Sequence, residues 1–281
     1  MISVSSIETL LQRAQQRLVS SDSPRADAEI LLAHVLGKPR SYLLTWPEKM
    51  LNETKLAAFE SLLQRRVAGE PVAYLLGSRG FYGLELAVCD AVLIPRPETE
   101  LLVEAALARL PSGDCRVADL GTGSGAIALA LASARPDVSV LAADVSPQAL
   151  AVAQDNAQRL RLKVDFRLGS WCAALGDEVF DMIVSNPPYI RVDDEHLTQG
   201  DVRFEPALAL ASGADGLDAI RAIIGCAPAH LSPGGWLLLE HGYDQAVAVA
   251  ALLRAEGWQA VDSLCDLQGH ARVTLGRRSV E

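Results

Sequence analysis

The sequence predicts a doubly wound α/β sheet, mainly parallel with an antiparallel edge hairpin, preceded by a small helical domain. From about residue 115, short apolar runs of strand length alternate with segments of helical periodicity, which is typical of a parallel sheet covered by helices on both faces. The last two apolar runs have no helix between them, so we expect them to form the hairpin. Residues 5–70, in contrast, show only helical spacing of apolar side chains.

Length and composition agree with this division. The chain has 281 residues, enough for about two domains if one domain has ~150 residues. It is 50% hydrophobic and 21% charged, which is ordinary for a globular protein with a core. We predict a helical domain at 1–71, a β-hairpin linker at 72–94 and an α/β domain at 95–281.

Local signals mark the helices of the first domain. Apolar residues keep helical spacing over 7–18. A second helix begins at Ser23, an N-cap residue followed by proline, and ends at Gly37. A third begins at Asn52 and is closed by Gly69 and Pro71. No catalytic set of residues is evident in this domain.

Glycines interrupt short apolar runs between residues 72 and 94, and we interpret this stretch as a β-hairpin. The strand-like runs are 74–77, 81–84 and 86–88.

The segment 93–100, Leu-Ile-Pro-Arg-Pro-Glu-Thr-Glu, then opens a helix through Leu110. Proline and acidic residues in a first turn are ordinary helix-start chemistry, and this interpretation explains Arg96, Glu98 and Glu100 without a catalytic role.

The α/β domain is predicted to alternate strands and helices to the end of the chain. The predicted strands are 116–120, 138–143, 164–168, 180–185, 236–241, 259–264 and 272–275, and the predicted helices lie near 125–134, 147–160, 217–230 and 244–256.

Charge, hydropathy and cysteine usage exclude several classes of protein. With 25 basic and 35 acidic residues the net charge is −10, whereas a protein that binds bare duplex DNA usually has a basic face. No apolar run reaches the ~18–20 residues of a membrane span, and the amino terminus lacks the features of a secretion signal. The five cysteines are scattered without a C-x-x-C pair, which argues against a metal site or a disulfide framework and fits a reducing cytoplasm.

A glycine-rich turn follows the first strand of the predicted sheet. It runs from Asp119 to Ala126 with the sequence Asp-Leu-Gly-Thr-Gly-Ser-Gly-Ala, and glycines let the backbone approach a ligand closely. Asp144 ends the second strand, about 20 residues on, where an acid can bind both hydroxyls of a ribose. Together they indicate a nucleoside cofactor. The glycine spacing also satisfies the loose dinucleotide fingerprint, and a purely structural turn remains the alternative.

The fourth predicted strand ends in Asn186-Pro187-Pro188-Tyr189. Two prolines exclude both helix and central strand, so a stiff, extended loop should leave the sheet where open α/β sheets bind ligands. The Asn186 oxygen and the Pro187 carbonyl can each accept one N–H of a planar –NH₂ group. Tyr189 can lie against the flat face of that group. The alternative is a proline-rich turn with Tyr189 as packing.

These two motifs are expected to meet, because the ends of the first and fourth strands are neighbours across the switch point of a doubly wound sheet. S-adenosylmethionine has a ribose for Asp144 and a methionine end for the glycine-rich turn. Its methyl sulfonium would then point at the nitrogen that Asn186 holds, a geometry for SN2 transfer in which positioning supplies much of the rate. A dinucleotide enzyme would instead repeat the mononucleotide unit and carry a hydride-transfer site.

The chain resembles the class I S-adenosylmethionine-dependent methyltransferases and, within them, the release-factor glutamine methyltransferases of the HemK/PrmC type. The resemblance covers nearly the whole chain. Asn-Pro-Pro-Tyr alone is shared with DNA adenine and RNA guanine methyltransferases, whereas its combination with the helical domain is more specific. The segments that carry the resemblance are 25–32, 69–71, 93–100, 119–125, 186–189 and 202–206.

The resemblance implies roles for individual residues. The family usually carries an acid at the position of Ser170; a hydroxyl also accepts a hydrogen bond there, but a neutral one. Trp171 would flank the adenine, with a core aromatic as its alternative role. The remaining implied site residues are Gly121, Thr122, Gly123, Ser124 and Gly125 around the methionine part of the cofactor, Asp144 on the ribose, Asn186 beside both cofactor and substrate, and Asn186, Pro187, Pro188 and Tyr189 around the substrate glutamine amide.

The resemblance therefore implies N5-methylation of the glutamine in the Gly-Gly-Gln motif of peptide chain release factors. The helical domain and hairpin would dock the release factor, the catalytic roles would fall on Asn186, Pro187 and Tyr189, and no metal is implied. We expect a cytoplasmic monomer without membrane or direct nucleic-acid partners. The alternatives are a methyltransferase for adenine N6 or guanine N2 of DNA or RNA, a nicotinamide enzyme, or a non-catalytic adaptor that binds a nucleoside cofactor.

Overall fold

The computed structural model describes residues 5–280, and these form two compact units. The helical unit comprises the chain up to Gly77 together with Gly200–Phe204. The sheet unit comprises Ser78–Gln199 and the chain from Glu205 onward. From residue 5 to residue 280, no helix has the length and apolarity needed to cross a membrane.

Short helices build the helical unit around one apolar core in which Leu32 and Phe59 are fully buried. The side chains of Ser6 and Asn52 accept backbone N–H groups in the first turns of two of these helices. Ser23 makes no such cap, because its hydroxyl donates to the Asp27 carboxylate instead. The helices are α1 (Ile7–Arg17), α2 (Pro24–Leu36), α3 (Arg40–Thr45), α4 (Glu53–Val67) and α5 (Val72–Leu76).

Ion pairs hold the second segment of the helical unit in place. Arg66 on α4 pairs with Asp27 of α2 and with Asp201, at 2.7 Å in each case. Arg203 donates to the carbonyl of Ala68 at 2.9 Å. The side chains of Arg66 and Asp27 are only 10% and 8% exposed, so removing either one would leave a buried charge without its partner.

The strand expected at 74–77 is wrong, since residues 74–76 lie in α5. Pro71 precedes the first turn of that helix, Leu75 is buried in the helical core, and Gly77 ends the helix with a φ of 71°. The hairpin follows directly as β1 (Ser78–Phe81) paired antiparallel with β2 (Leu84–Ala87). Its strands are therefore displaced from the apolar runs, because the turn between them falls inside the run 81–84.

The sheet unit confirms the predicted doubly wound fold. Its larger sheet has the strand order β5-β4-β3-β6-β7-β9-β8, in which the first five are parallel and β9 runs antiparallel to both of its neighbours. The strands are β3 (Cys115–Leu120), β4 (Val138–Asp144), β5 (Asp165–Leu168), β6 (Phe180–Ser185), β7 (Leu231–Glu240), β8 (Gln259–Cys265) and β9 (Ala271–Arg277), and the helices are α6 (Glu100–Leu107), α7 (Ala126–Ala134), α8 (Pro147–Leu160), α9 (Asp218–Cys226) and α10 (Ala246–Ala255).

Side-chain alternation along the strands produces a core on each face of this sheet. Val117 of β3 belongs to the core that includes α6 and α7, whereas its neighbour Ala118 belongs to the core that includes α9 and α10. Both faces are apolar because both are covered by helices. The predicted helix 217–230 is shorter than expected: α9 ends at Cys226, and Ala227–His230 continues as a 3₁₀ turn that contains a proline.

The expectation that the cysteines form no disulfide is wrong for one pair. Cys172 and Cys226 are bonded across 54 residues of sequence, because the 3₁₀ turn Trp171–Leu175 and the end of α9 lie on the same face of the sheet. Cys89, Cys115 and Cys265 are free. Within 5–280, no cluster of His, Cys, Asp and Glu side chains could hold a metal ion.

Candidate active site

The register of the sheet places four strand ends side by side. Leu120, the last residue of β3, pairs with Ala143 on β4 and with Ser185 on β6, and Ser185 pairs with Leu239 on β7. The residues that come next in the chain after these four strand positions therefore lie together at the carboxyl end of the sheet. The four are Gly121, Asp144, Asn186 and Glu240.

Backbone conformation and close packing both explain the glycines of the turn after β3. Gly121, Gly123 and Gly125 have φ angles of 74°, 56° and 85°, a region that L side chains rarely adopt. A Cβ at Gly121 would lie 3.2 Å from the ring of Trp171. The left-handed conformation therefore explains all three glycines, and close packing against Trp171 adds a second reason at Gly121.

Asp119 supports this turn from beneath. Its Oδ2 accepts hydrogen bonds from the Thr122 hydroxyl at 2.6 Å and from the Ala128 backbone at 3.2 Å, whereas Oδ1 has no partner among the described residues. Burial raises the pKa of Asp119 to about 7, against the opposing effect of these hydrogen bonds. Thr122 is therefore turned toward Asp119, and the carbonyl of Ser124 accepts from Asn156. A cavity lies next to this turn, and in the described chain neither Thr122 nor Ser124 lines it.

Asp144 is held in place by backbone donors. Its Oδ2 accepts from the N–H of Gly123 and its Oδ1 from the N–H of Ser146, both at 2.9 Å. The residue is buried, yet it lies on the cavity wall. One carboxylate thus connects the glycine-rich turn to the start of α8, and it presents an anionic acceptor beside both.

A cavity of about 480 Å³ lies over the strand ends, within the ~300–1,000 Å³ range of small-molecule sites. Trp171 lines it and also packs against the core that includes α9, so the two roles weighed for this residue are compatible. Ser170 lines the same cavity and makes no cap to its own 3₁₀ turn. The predicted site residues on the cavity wall are Gly121, Gly123, Asp144, Trp171, Asn186 and Pro188.

The loop after β6 is fixed along its length. The backbone of Ile190 exchanges hydrogen bonds with Leu210 and Ser212, at 2.9 Å and 2.8 Å. The side chain of Gln245 donates to the carbonyl of Tyr189 at 3.0 Å. Together with the two prolines, these bonds make the loop a rigid platform.

Within this loop, the side-chain nitrogen of Asn186 is held by a hydrogen bond, and its side-chain oxygen receives none from the described residues. It is half-buried on the cavity wall, and its Nδ2 donates to the Thr99 hydroxyl at 3.2 Å. No described residue donates to its Oδ1. Pro187 is buried, and the ring of Tyr189 packs against the core that includes α9, where burial raises the phenol pKa and keeps it neutral. The contact of Tyr189 with a substrate amide stays a prediction.

Arg96 and Glu100, before and at the start of α6, make structural contacts with other segments of the sheet unit. Arg96 pairs with Glu205, which also accepts from the backbone of Ile94 at 3.0 Å. Glu100 accepts from the backbone of Tyr82 at 2.8 Å.

Sequence reasoning missed Thr99 and Glu240, the two buried side chains beside Asn186. The available signal for Glu240 was an acid at the carboxyl end of an apolar strand, the same signal that identified Asp144.

Comparison with known proteins gives the family. Residues 9–77 match the model of the PrmC N-terminal domain, and residues 97–205 match that of the methyltransferase small domain. The release factor glutamine methyltransferase of Vibrio cholerae is 53% identical over 98% of both chains. The chain belongs to the release factor glutamine methyltransferase family. The protein of that name from Pseudomonas aeruginosa is 54% identical over 98% of this chain and 99% of its own length.

A solved structure supports the fold of the sheet. The T. thermophilus 16S rRNA N2 G1207 methyltransferase RsmC, in complex with AdoMet and guanosine, superposes with a TM-score of 0.51 at 25% identity, covering 72% of this chain and 49% of its own. The predicted family and class I methyltransferase fold are thus confirmed.

The RsmC complex contains AdoMet (S-adenosylmethionine), and the residues present in the cavity of this chain fit that cofactor. The glycine-rich turn offers a cradle that a Cβ at Gly121 would fill against Trp171. Asp144 offers a carboxylate for hydroxyl donors, and Trp171 offers a flat apolar face on the same cavity wall.

Proposed function

We propose that this enzyme transfers a methyl group from S-adenosylmethionine to the side-chain nitrogen N5 of the glutamine in the Gly-Gly-Gln motif of peptide chain release factors. The observation that carries the proposal is Asn186, whose amide oxygen has no donor among the described residues and whose nitrogen is tethered behind it. An acceptor held at a cavity wall suits a substrate that carries an –NH₂ group. The names and the close identity of the relatives support release factors as the substrate class.

Asn186 and Pro187 would act on the nucleophile. An amide nitrogen is a poor nucleophile because its lone pair is delocalised into the carbonyl. The Asn186 oxygen and the Pro187 carbonyl would each accept one of its hydrogens and so return electron density to the nitrogen. These hydrogen bonds would strengthen as the nitrogen attacks and its hydrogens become more positive, which places their effect on the transition state.

The cofactor, when bound, supplies an electrophilic methyl group on a sulfonium. The backbone at Gly121 and Gly123 would hold its methionine part, Asp144 its ribose and Trp171 its adenine. The glutamine nitrogen would take this methyl group as the S–C bond of the cofactor breaks, with the electron pair left on the departing sulfur, and the nitrogen would then lose one proton. Because that proton becomes acidic once the nitrogen is methylated, no strong base is required of the site.

We further propose that the helical unit and the hairpin dock the release factor. The match of residues 9–77 to the PrmC N-terminal domain supports a function shared with these relatives. Leu44, Trp46 and Met50 in the helical unit are about half or more exposed, at 66%, 49% and 54%, and such apolar groups suit a protein partner.

The reaction would take place in the cytoplasm, where translation terminates, and the enzyme would act as a monomer.

Methyl transfer from labelled cofactor tests the function. We expect label on purified release factor, none on a factor whose Gly-Gly-Gln glutamine is replaced by glutamate, and none on DNA or RNA. Label on nucleic acid alone would overturn the proposal in favour of an exocyclic-amine methyltransferase. A short Gly-Gly-Gln peptide is expected to react with a much higher KM than the intact factor; equal KM values would contradict the docking role.

A further inference from the structure

Two buried side chains, Thr99 and Glu240, stand behind Asn186. Thr99 lies in the 3₁₀ turn Pro97–Thr99 and Glu240 is the last residue of β7, and their exposed fractions are 4% and 2%. The pairing of Ser185 with Leu239 brings Glu240 next to Asn186 across the sheet. Neither Thr99 nor Glu240 lines the cavity, so they reach the substrate only through Asn186.

A hydrogen bond joins Asn186 to Thr99, and Glu240 lies beside both. The Thr99 hydroxyl accepts from Asn186 Nδ2 at 3.2 Å. The side chains of Thr99 and Asn186 both act to lower the pKa of the Glu240 carboxyl and so favour its ionised form, and its Oε2 has no partner within residues 5–280. The –NH₂ of Asn186 donates one hydrogen to Thr99 and has a second that it can donate to the neighbouring Glu240, while the Thr99 hydrogen remains available to the carboxylate.

The orientation of the Asn186 amide decides what it can do. Its oxygen and nitrogen occupy nearly equivalent positions, and a half-turn about the terminal torsion exchanges them. The exchanged amide would present N–H donors to the cavity, where they could not accept the hydrogens of a substrate amine. An ionised carboxylate only accepts hydrogen bonds, so it favours the Asn186 nitrogen beside it and disfavours the oxygen.

We propose that Thr99 and Glu240 are positioning residues that keep the Asn186 oxygen facing the substrate nitrogen. This inference rests on the proposed role of Asn186. A carboxylate serves here better than a neutral amide, because a glutamine in its place could both donate and accept and would therefore tolerate either orientation.

The charge state of Glu240 provides a readout. Burial raises its pKa to about 7; among the charged groups around it, Glu98 adds to this rise and Arg272 opposes it. Tyr189 stays neutral because burial raises its pKa, and His241, the next residue, stays neutral because burial lowers its pKa. Below about pH 7 the protonated Glu240 can donate to an exchanged Asn186 oxygen, so kcat should fall as the pH decreases through that value.

Variants in the full-length enzyme test the proposal. Glu240→Gln should lower the single-turnover rate about 10-fold, the scale of one hydrogen bond, and should flatten the acidic limb of the pH profile. Thr99→Val should lower the rate several-fold, and Thr99→Ser should restore it. The affinity for S-adenosylmethionine, measured by calorimetry without turnover, should not change. Adding Glu240→Gln to Asn186→Ala should cost no further activity, because residues acting as one unit are not additive.

Trp258→Phe is the matched control. Its Nε1 is another buried polar atom without a partner among the described residues, and it lies in the core that includes α10. This variant should keep both the rate and the pH profile of the wild type.

Each outcome decides one question. If Asn186→Ala abolishes activity while Glu240→Gln and Thr99→Val keep the wild-type rate and pH profile, the positioning inference is overturned and the role of Asn186 stands. If Asn186→Ala itself retains full activity, the proposed role of Asn186 fails. A lower melting temperature with an unchanged rate in the folded fraction would show a purely structural role for Thr99 and Glu240. Should Glu240→Gln not fold, the Thr99→Val and Thr99→Ser pair decides alone.

Discussion

The two halves of the cavity wall are built in different ways. At the ends of β3 and β4 the wall is backbone: a left-handed turn at Gly121 and Gly123, with Asp144 accepting two backbone N–H groups. At the ends of β6 and β7 the wall depends on side chains, with Asn186 oriented by Thr99 and Glu240. The first half should therefore be sensitive to atoms added at its glycines and to the loss of the Asp144 carboxylate, and the second to the loss of the Asn186 side chain and its neighbours.

The largest effect is expected in the side-chain half. Asn186→Ala should lower kcat roughly 10²–10³-fold, the range for losing one preorganised group that acts on the transition state. Cofactor affinity should change much less. Single-turnover methylation and thermal melts on the same preparations measure both effects.

Asn186→Asp is the matched variant for this position, since it keeps size and shape. It can still accept from the substrate, but it loses the –NH₂ that faces Thr99 and places a second carboxylate beside Glu240. We expect partial activity. A fall in melting temperature with kcat intact in both variants would instead mean that Asn186 is only a turn residue before proline.

A smaller effect is expected in the backbone half, and it should fall on binding. Asp144→Ala removes a charged acceptor for the ribose hydroxyls, worth about 2–3 kcal/mol, or roughly 30- to 150-fold in cofactor affinity. It also frees the N–H groups of Gly123 and Ser146. Calorimetry measures the loss. Asp144→Asn, which keeps one acceptor oxygen, should lose less, and unchanged affinity in Asp144→Ala would contradict the assignment.

The difference between a wall built of backbone and a wall built of side chains also explains which parts of the site the sequence could predict. The backbone half is encoded locally, because each glycine is required by the conformation at its own position and Asp144 ends an apolar strand. Asn186 was also recognisable, since prolines follow it directly. Thr99 was not, because its contact with Asn186 joins positions 87 residues apart and depends on sheet register. Thr99 also lies in a segment whose residues are ordinary at the start of a helix, so nothing in the local sequence pointed to a further role.

Two of our expectations from the sequence, the strand at 74–77 and the absence of a disulfide, were wrong for the same reason. Residues 74–77 have strand-like composition, but Leu75 is buried in the helical core, and this packing outweighs local propensity. The Cys172–Cys226 disulfide joins residues that only the sheet brings together. The fold class was accessible because alternating periodicity repeats along the whole α/β region, so no single element decided it.

The smallest expected effect comes from alanine substitutions in the glycine-rich turn, which distinguish backbone strain from crowding against the Trp171 ring. Gly121→Ala and Gly123→Ala should each destabilise the fold, since a left-handed conformation costs an L residue about 1–2 kcal/mol. A Cβ at Gly121 would lie 3.2 Å from the ring of Trp171, whereas a Cβ at Gly123 meets nothing within 4 Å. We therefore expect similar losses in melting temperature, but a several-fold loss of cofactor affinity and a change in tryptophan fluorescence only for Gly121→Ala. Equal affinity losses in both variants would mean that backbone strain, and not displacement of Trp171, controls binding.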